Sequence, residues 1–140
     1  MTITAQQKAL VQDSFAQVLP IADQAAAIFY DRLFSLDPSL RPLFSENMNQ
    51  QRVKLMQTLN GAVMGLDDLD ALVPILENLA IRHVGYGVRD EHYQTVGAAL
   101  IWTLEQGLGH AFTDEVRAAW QAVYGIISHV MINATKPVPA

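Results

Sequence analysis

Apolar residues recur at helical spacing along the length of this chain, and no stretch alternates polar with apolar as a half-buried strand would. Leu10, Val11, Phe15, Val18 and Leu19 form the first stripe, behind Thr4 and Gln7 at capping-box spacing. Pro20 ends that helix or begins the next, whose face carries Ala25, Ala26, Phe29 and Leu33 with Tyr30 and Phe34 flanking it. Asp37 followed by Pro38 predicts a short capped turn. A polar connection over 45–49 leads to a long helix over 50–65, with Leu55, Met56, Leu59 and Val63 inward. Asp67, Asp68 and Asp70 separate it from the next helix, near whose start Pro74 is tolerated. Asp90 opens a helix through Tyr93, Val96, Leu100 and Leu104 that Gly107 and Gly109 stop. Thr113, Asp114 and Glu115 suit the start of the last, with Val116, Trp120, Val123, Ile127, Val130 and Met131 as its buried stripe. Residues 136–140 read as a frayed tail. With no repeat or linker in evidence, the expectation is an all-α single domain over residues 1–140.

Composition narrows the class further. A chain of 140 residues is long enough to bury about two-thirds of its unfolded surface in one core. Its apolar runs are interrupted well before membrane-spanning length, so no span is expected. The first residues lack the apolar stretch of a secretory signal, which makes the cytoplasm the expected location. Zero cysteines exclude disulfides, thiolate catalysis and cysteine-bound metals, leaving histidine as the strongest metal ligand available. Net charge −5 without a basic cluster argues against a nucleic-acid surface.

Against that background one residue is out of place. Ile75, Leu76, Leu79 and Ala80 read as one helical face, Glu77, Asn78 and Arg82 as the other, and His83 continues the apolar side four residues after Leu79. A buried imidazole needs a hydrogen-bond partner or a metal, because leaving it unsatisfied costs on the order of 1–3 kcal/mol. Alone, His83 reads either as a hydrogen-bonded core histidine or as a ligand. Gly85, Tyr86 and Gly87 are expected to stop its helix at once. The other histidines have no such setting: His92 is expected in an exposed first turn, His110 in a glycine-containing loop, and His129 among apolar neighbours of the last helix.

Several stretches in order carry a family resemblance. Arg82 and His83, a glycine-containing corner, His92 with Tyr93, and Val96 with Gly97 resemble the proximal haem side of bacterial haemoglobins of the flavohaemoglobin branch. The run Phe29 to Phe34, the corner Arg41 to Phe44, Gln51 with Leu55, and Ala119, Trp120, Tyr124 and Gly125 resemble other parts of the same proteins. Individually, Tyr30 and Phe44 read as core aromatics, Gln51 as an exposed residue near a helix start and Leu55 as core filling. Together and in order they are specific. The resemblance implies a globin fold, a 3-over-3 helix-on-helix sandwich around a haem b pocket, with His83 as iron ligand. It implies Tyr30 and Gln51 as donors to a bound ligand and Phe44, Leu55, Val88 and Val96 around the haem. Tyr93 would orient His83 or serve as a core tyrosine; Lys54 would reach a propionate or face solvent.

The implied function is reversible dioxygen binding, each hydrogen bond to a partly charged ligand being worth roughly 1.5–3 kcal/mol. Nitric oxide and other small haem ligands would share the site, and nitric oxide dioxygenation is the alternative activity. Two departures qualify the resemblance. Ala134 and Thr135 stand where the branch places a glutamate that would strengthen electron donation through His83, and flavin and nicotinamide domains are expected to be absent beyond Ala140. A dioxygenase would then need a separate flavin-dependent reductase.

Overall fold

The computed structural model describes residues 3–44, 46–85 and 88–135. Thr4 begins the first helix, α1 (Ala5–Val18), by the anticipated capping box: its hydroxyl accepts from the Gln7 backbone and its own N–H donates to the Gln7 side chain, both at 3.0 Å. A 3-10 turn at Leu19–Ile21 holds Pro20, and α2 (Ala22–Leu36) follows. Asp37 accepts from the Ser39 N–H and starts a second 3-10 segment, Pro38–Leu43. Then come α3 (Asn49–Met64), a 3-10 turn at Gly65–Asp67, α4 (Leu69–Gly85), α5 (His92–Leu108), a turn at Gly109–Ala111 and α6 (Asp114–Ala134). Gly109 ends α5 at φ 55°, a backbone conformation that favours glycine.

The helices stack in two layers. α1, α3 and α4 lie across α2, α5 and α6, with the strongest packing between α2 and α5, α1 and α6, and α4 and α6. This is the all-α, helix-on-helix sandwich that the periodicity and the resemblance imply. The described buried residues form one cluster, from Val11 and Phe15 in α1 to Val130 and Met131 in α6. No described helix is long and apolar enough to cross a membrane.

Four expectations change. Ile75 is 60% exposed, because α4 leans inward through Leu72, Leu76 and Ala80, a four-residue repeat that turns its neighbour outward. Leu19 also faces solvent, since the chain turns at Pro20 before that stripe is complete. Pro74 lies inside α4 rather than at its start, so the Asp70 carbonyl lacks the usual helical N–H. His92, expected in the open, is buried, with Nδ1 accepting the Arg89 N–H at 3.0 Å; the ring satisfies a donor just ahead of α5. The stop expected at Gly85 is met in part, since α4 runs through that residue. Tyr86, Gly87 and the 136–140 tail lie outside the described residues.

One buried polar contact locks the layers. The Trp120 indole N–H donates to Ser14 Oγ at 2.8 Å, and that hydroxyl donates to the Leu10 carbonyl at 2.6 Å. Phe15 packs on the Trp120 ring at 6.1 Å. Ser14→Ala would strand the indole donor in the core, and should lower unfolding stability by about 1–3 kcal/mol. Urea denaturation should show an earlier midpoint with an unchanged slope; an unmoved midpoint would mean that the indole finds another acceptor.

Candidate functional site

Tyr30 sits on the inward face of α2, 5% exposed, inside a cage of aromatic rings. Phe29 and Phe44 meet it edge-on at 5.0 and 5.5 Å, and Phe34 stacks on it at 5.9 Å. Phe44 comes from the corner after the second 3-10 segment and packs on Phe34 at 5.4 Å. Arg41 ties that corner down. Its guanidinium lies 5.3 Å from the Phe34 ring centre and donates to the carbonyls of Phe44 and Glu46, each at 3.3 Å. The sequence contains the Arg41 to Phe44 run, but the contact with Phe34 depends on α2 folding back against the corner. Pattern alone could not assign Arg41 this role.

Among the described residues the cage leaves the phenol one near polar neighbour. Gln51, in the first turn of α3, donates from Nε2 to the Tyr30 oxygen at 3.0 Å. The oxygen accepts this bond, and among the described residues no acceptor is assigned to the hydroxyl's own hydrogen, so it can be donated to a further group. Burial raises the Tyr30 pKa above its ordinary value, and the Gln51 hydrogen bond opposes this more weakly. The hydroxyl therefore stays protonated, and a donor, across the neutral range.

His83 lies in the last turn of α4, partly buried. Its Nδ1 is 2.8 Å from the Leu79 carbonyl oxygen. Because a carbonyl only accepts, Nδ1 carries the hydrogen, which leaves Nε2, in the neutral ring, as the nitrogen through which an imidazole would bind a metal. Val88 returns to the same place, its N–H donating to the His83 carbonyl at 3.1 Å. Phe44, Leu55, Leu59, Leu79, Tyr93 and Val96 are all partly exposed while packed against the sealed core. A void of about 10 Å³ lies beside Leu55 and Leu59, bounded by Phe29, Leu100 and Leu104. Lys54 is exposed on α3. His110 and His129 are also exposed; His129 pairs with Asn133 at 2.8 Å.

The structure thus brings Tyr30, Phe44 and Gln51 together and joins Val88 to His83. Tyr93 is engaged by another residue that the sequence reading did not single out as a partner. The Tyr124 hydroxyl donates to the Tyr93 carbonyl at 2.6 Å, and its ring lies so close to Gly97 that a Cβ there would sit 2.7 Å from it. Val96–Gly97 and Tyr124–Gly125, separate stretches in sequence, are one helix crossing in space.

Fold and site together define, among the described residues, two layers of six α-helices with a helix-borne histidine and a caged tyrosine–glutamine pair. The globin family profile, described as Globin, matches residues 27–131, and the chain belongs to the globin family. The flavohemoprotein of Bordetella parapertussis is 39% identical over 109 residues, covering 75% of this chain but 27% of that protein. A bacterial globin from Campylobacter jejuni superimposes with TM-score 0.82 at 24% identity, over 94% of this chain and 95% of that one. An engineered carbene transferase from Rhodothermus marinus, provisionally named a nitric oxide dioxygenase, superimposes with TM-score 0.83 at 26% identity, over 94% and 92% of the two chains.

The tyrosines give the fold an alkaline limit. Burial pushes up the pKa of Tyr30, Tyr93 and Tyr124; Asp90 adds to the effect at Tyr93, and Tyr93 adds to it at Tyr124. Each unfolds to an ordinary value of 10.0, so its contribution is fully present below that pH and is lost as pH rises through the higher folded value. Unfolding free energy should therefore fall with pH above about 10. Tyr124→Phe should flatten that decline, as read from denaturation curves at a series of alkaline pH values; an equally steep decline would show that Tyr124 ionises as freely folded as unfolded.

Proposed function

We propose that residues 1–140 are one globin domain that holds haem b, with His83 as the iron ligand, and that it binds dioxygen reversibly in the cytoplasm. The observation that carries this reading is the Gln51–Tyr30 hydrogen bond, which holds a buried phenol with its own hydrogen still to donate. Two further features fit the group. Among the described residues no three His, Asp or Glu side chains stand close enough together to hold an ion, which fits an iron at His83 that takes its other ligands from a prosthetic group such as a porphyrin. The partly exposed apolar set of Phe44, Leu55, Leu79 and Val96 offers the kind of surface that a flat apolar macrocycle covers.

When bound, haem supplies an iron that takes up dioxygen and other small gases and can convert nitric oxide to nitrate. The chain's own residues then have separable tasks. The Leu79 carbonyl would fix the His83 tautomer, leaving Nε2 to hold the iron. Gln51 holds Tyr30 in place; Tyr30 would donate to the bound ligand, and Phe44, Leu55, Val88 and Val96 would keep water away. Lys54 would hold a propionate, and Tyr93 would support the proximal side.

His83→Ala should lose most of its haem on purification, with His110→Ala and His129→Ala unchanged; an unaltered ferrous spectrum in His83→Ala would reassign the ligand. Tyr30→Phe should speed dioxygen release by on the order of tenfold, measured by stopped flow. Because Gln51 acts largely through Tyr30, adding Gln51→Leu should change that rate little further. Equal, additive effects would mean that the two side chains contact the ligand independently.

The provisional name of the Rhodothermus relative supports a second reading, nitric oxide dioxygenation. That chemistry leaves oxidised iron, so repeated turnover needs electrons from outside these 140 residues, for example from a flavin-dependent reductase. Mixing the dioxygen-loaded protein with excess nitric oxide should yield about one nitrate per haem alone and many with a reductase added. A slow first turnover would leave dioxygen binding as the sole activity.

A further inference from the structure

Among the described residues the buried polar side chains are Ser14, Thr103 and His92. Thr103 donates to the Ala99 carbonyl of its own helix, and Ser14 receives the Trp120 indole, so both serve the packed core. His92 is different. Only 6% exposed at the start of α5, its ring bonds back to the connection from α4, where Nδ1 accepts the Arg89 N–H. Arg89 is itself exposed, with its side chain beside Glu91 at 3.6 Å, so α5 holds its main chain and not its charge.

Both polar groups of the Arg89 main chain end on this one residue. The ring takes the N–H, and the carbonyl accepts the His92 N–H at 3.0 Å. A two-way exchange across three residues has the geometry of a capping box, in which a glutamate or glutamine reaches back to the N–H of the residue three before it. The preceding residue is tied the other way: the Val88 N–H donates to the His83 carbonyl at 3.1 Å. Two consecutive N–H groups are thus held by the end of α4 and by the start of α5. Among the described residues α4 packs chiefly on α6, and its direct packing on α5 is slight. The corner therefore couples the last turn of α4, which carries His83, to α5. α5 is anchored in turn by the Tyr124 hydroxyl on the Tyr93 carbonyl, one residue after His92.

We propose that His92 is a positioning residue for the iron site: its ring holds the corner by the Arg89 N–H and so sets the pose in which the last turn of α4 presents His83. This role rests on the reading of His83 as the ligand of haem iron. Without an acceptor at His92, the Arg89 N–H would turn to solvent, and the Val88 link beside it would no longer be held against α5. His83 would keep its bond to Leu79, which lies within α4, while the turn that carries both gained freedom to shift relative to α5.

The test sets His92→Leu and His92→Phe, which fill the buried space without an acceptor, against His92→Gln, which restores one at capping-box spacing. For each haem-loaded full chain, resonance Raman reads the iron–histidine stretching band of the ferrous, ligand-free form, and transfer to an apoglobin reads the rate of haem loss. Both apolar variants should show a shifted or broadened band and haem loss roughly two- to tenfold faster, what one hydrogen bond is worth. His92→Gln should return both toward wild type. Ser14→Ala, which weakens the core at the α1–α6 contact, should leave the band in place, separating positioning from a general loss of stability. In the unaltered protein the Arg89 amide should exchange its hydrogen more slowly than in the unfolded chain, a check that needs no variant to fold. An unmoved band in both apolar variants would overturn the proposal, as would a shift that His92→Gln fails to reverse or an Arg89 amide that exchanges freely. A band that persists in His83→Ala would overturn the reading of His83 itself, and this role with it.

Discussion

The hydrogen bond from the Trp120 indole to Ser14 fixes how α6 lies across α1, and much of the molecule follows from that crossing. A donor sealed in the core must meet its acceptor, which permits little sliding of one helix along the other. α6 also packs against α4, which bears His83, and against α5, where the Tyr124 hydroxyl reaches the Tyr93 carbonyl. Gly97 is the condition for that second crossing, since a side chain there would meet the Tyr124 ring. One helix thus sets the positions of the elements on both sides of the proposed proximal region.

The opposite side is organised by burial of a hydroxyl. Tyr30 is surrounded by Phe29, Phe34 and Phe44, an environment in which a phenolate is strongly disfavoured. The same desolvation that keeps it neutral strengthens any hydrogen bond it donates, because water does not compete. Among the described residues Gln51 supplies the polar contact that holds the phenol oxygen in place. Arg41 holds the corner that closes the cage, so a charged residue outside it helps to maintain an apolar interior.

The helices were legible because their signals are local. Thr4 with Gln7, Asp37 with Pro38, and Thr113 before α6 cap where spacing and side-chain chemistry imply. The orientation of individual residues was less legible. Ile75 and Leu76 are neighbours of similar apolarity, yet one is exposed and the other buried, because only the direction from which α6 approaches α4 distinguishes them. From sequence His92 reads as a surface residue, since a helix's first turn usually is exposed; the Arg89 N–H, brought close by the preceding turn, gives the buried ring its hydrogen bond. The order of motifs pointed to Tyr30, Gln51 and His83 as a set, but not to Gln51 donating to Tyr30.

Sequence alone therefore determined the all-α class, the caps and breaks of the helices, and which residue types were available for chemistry: four histidines, no cysteine, and one histidine continuing an apolar face. These depend on interactions within a few residues, where helical periodicity converts spacing directly into position. Tertiary structure decided the contacts between distant segments: Trp120 with Ser14, Tyr124 with Gly97 and Tyr93, Gln51 with Tyr30, and Arg32 over Trp102. Each arises from how one helix crosses another, and a crossing is set by the packing of whole faces rather than by any single residue's preference.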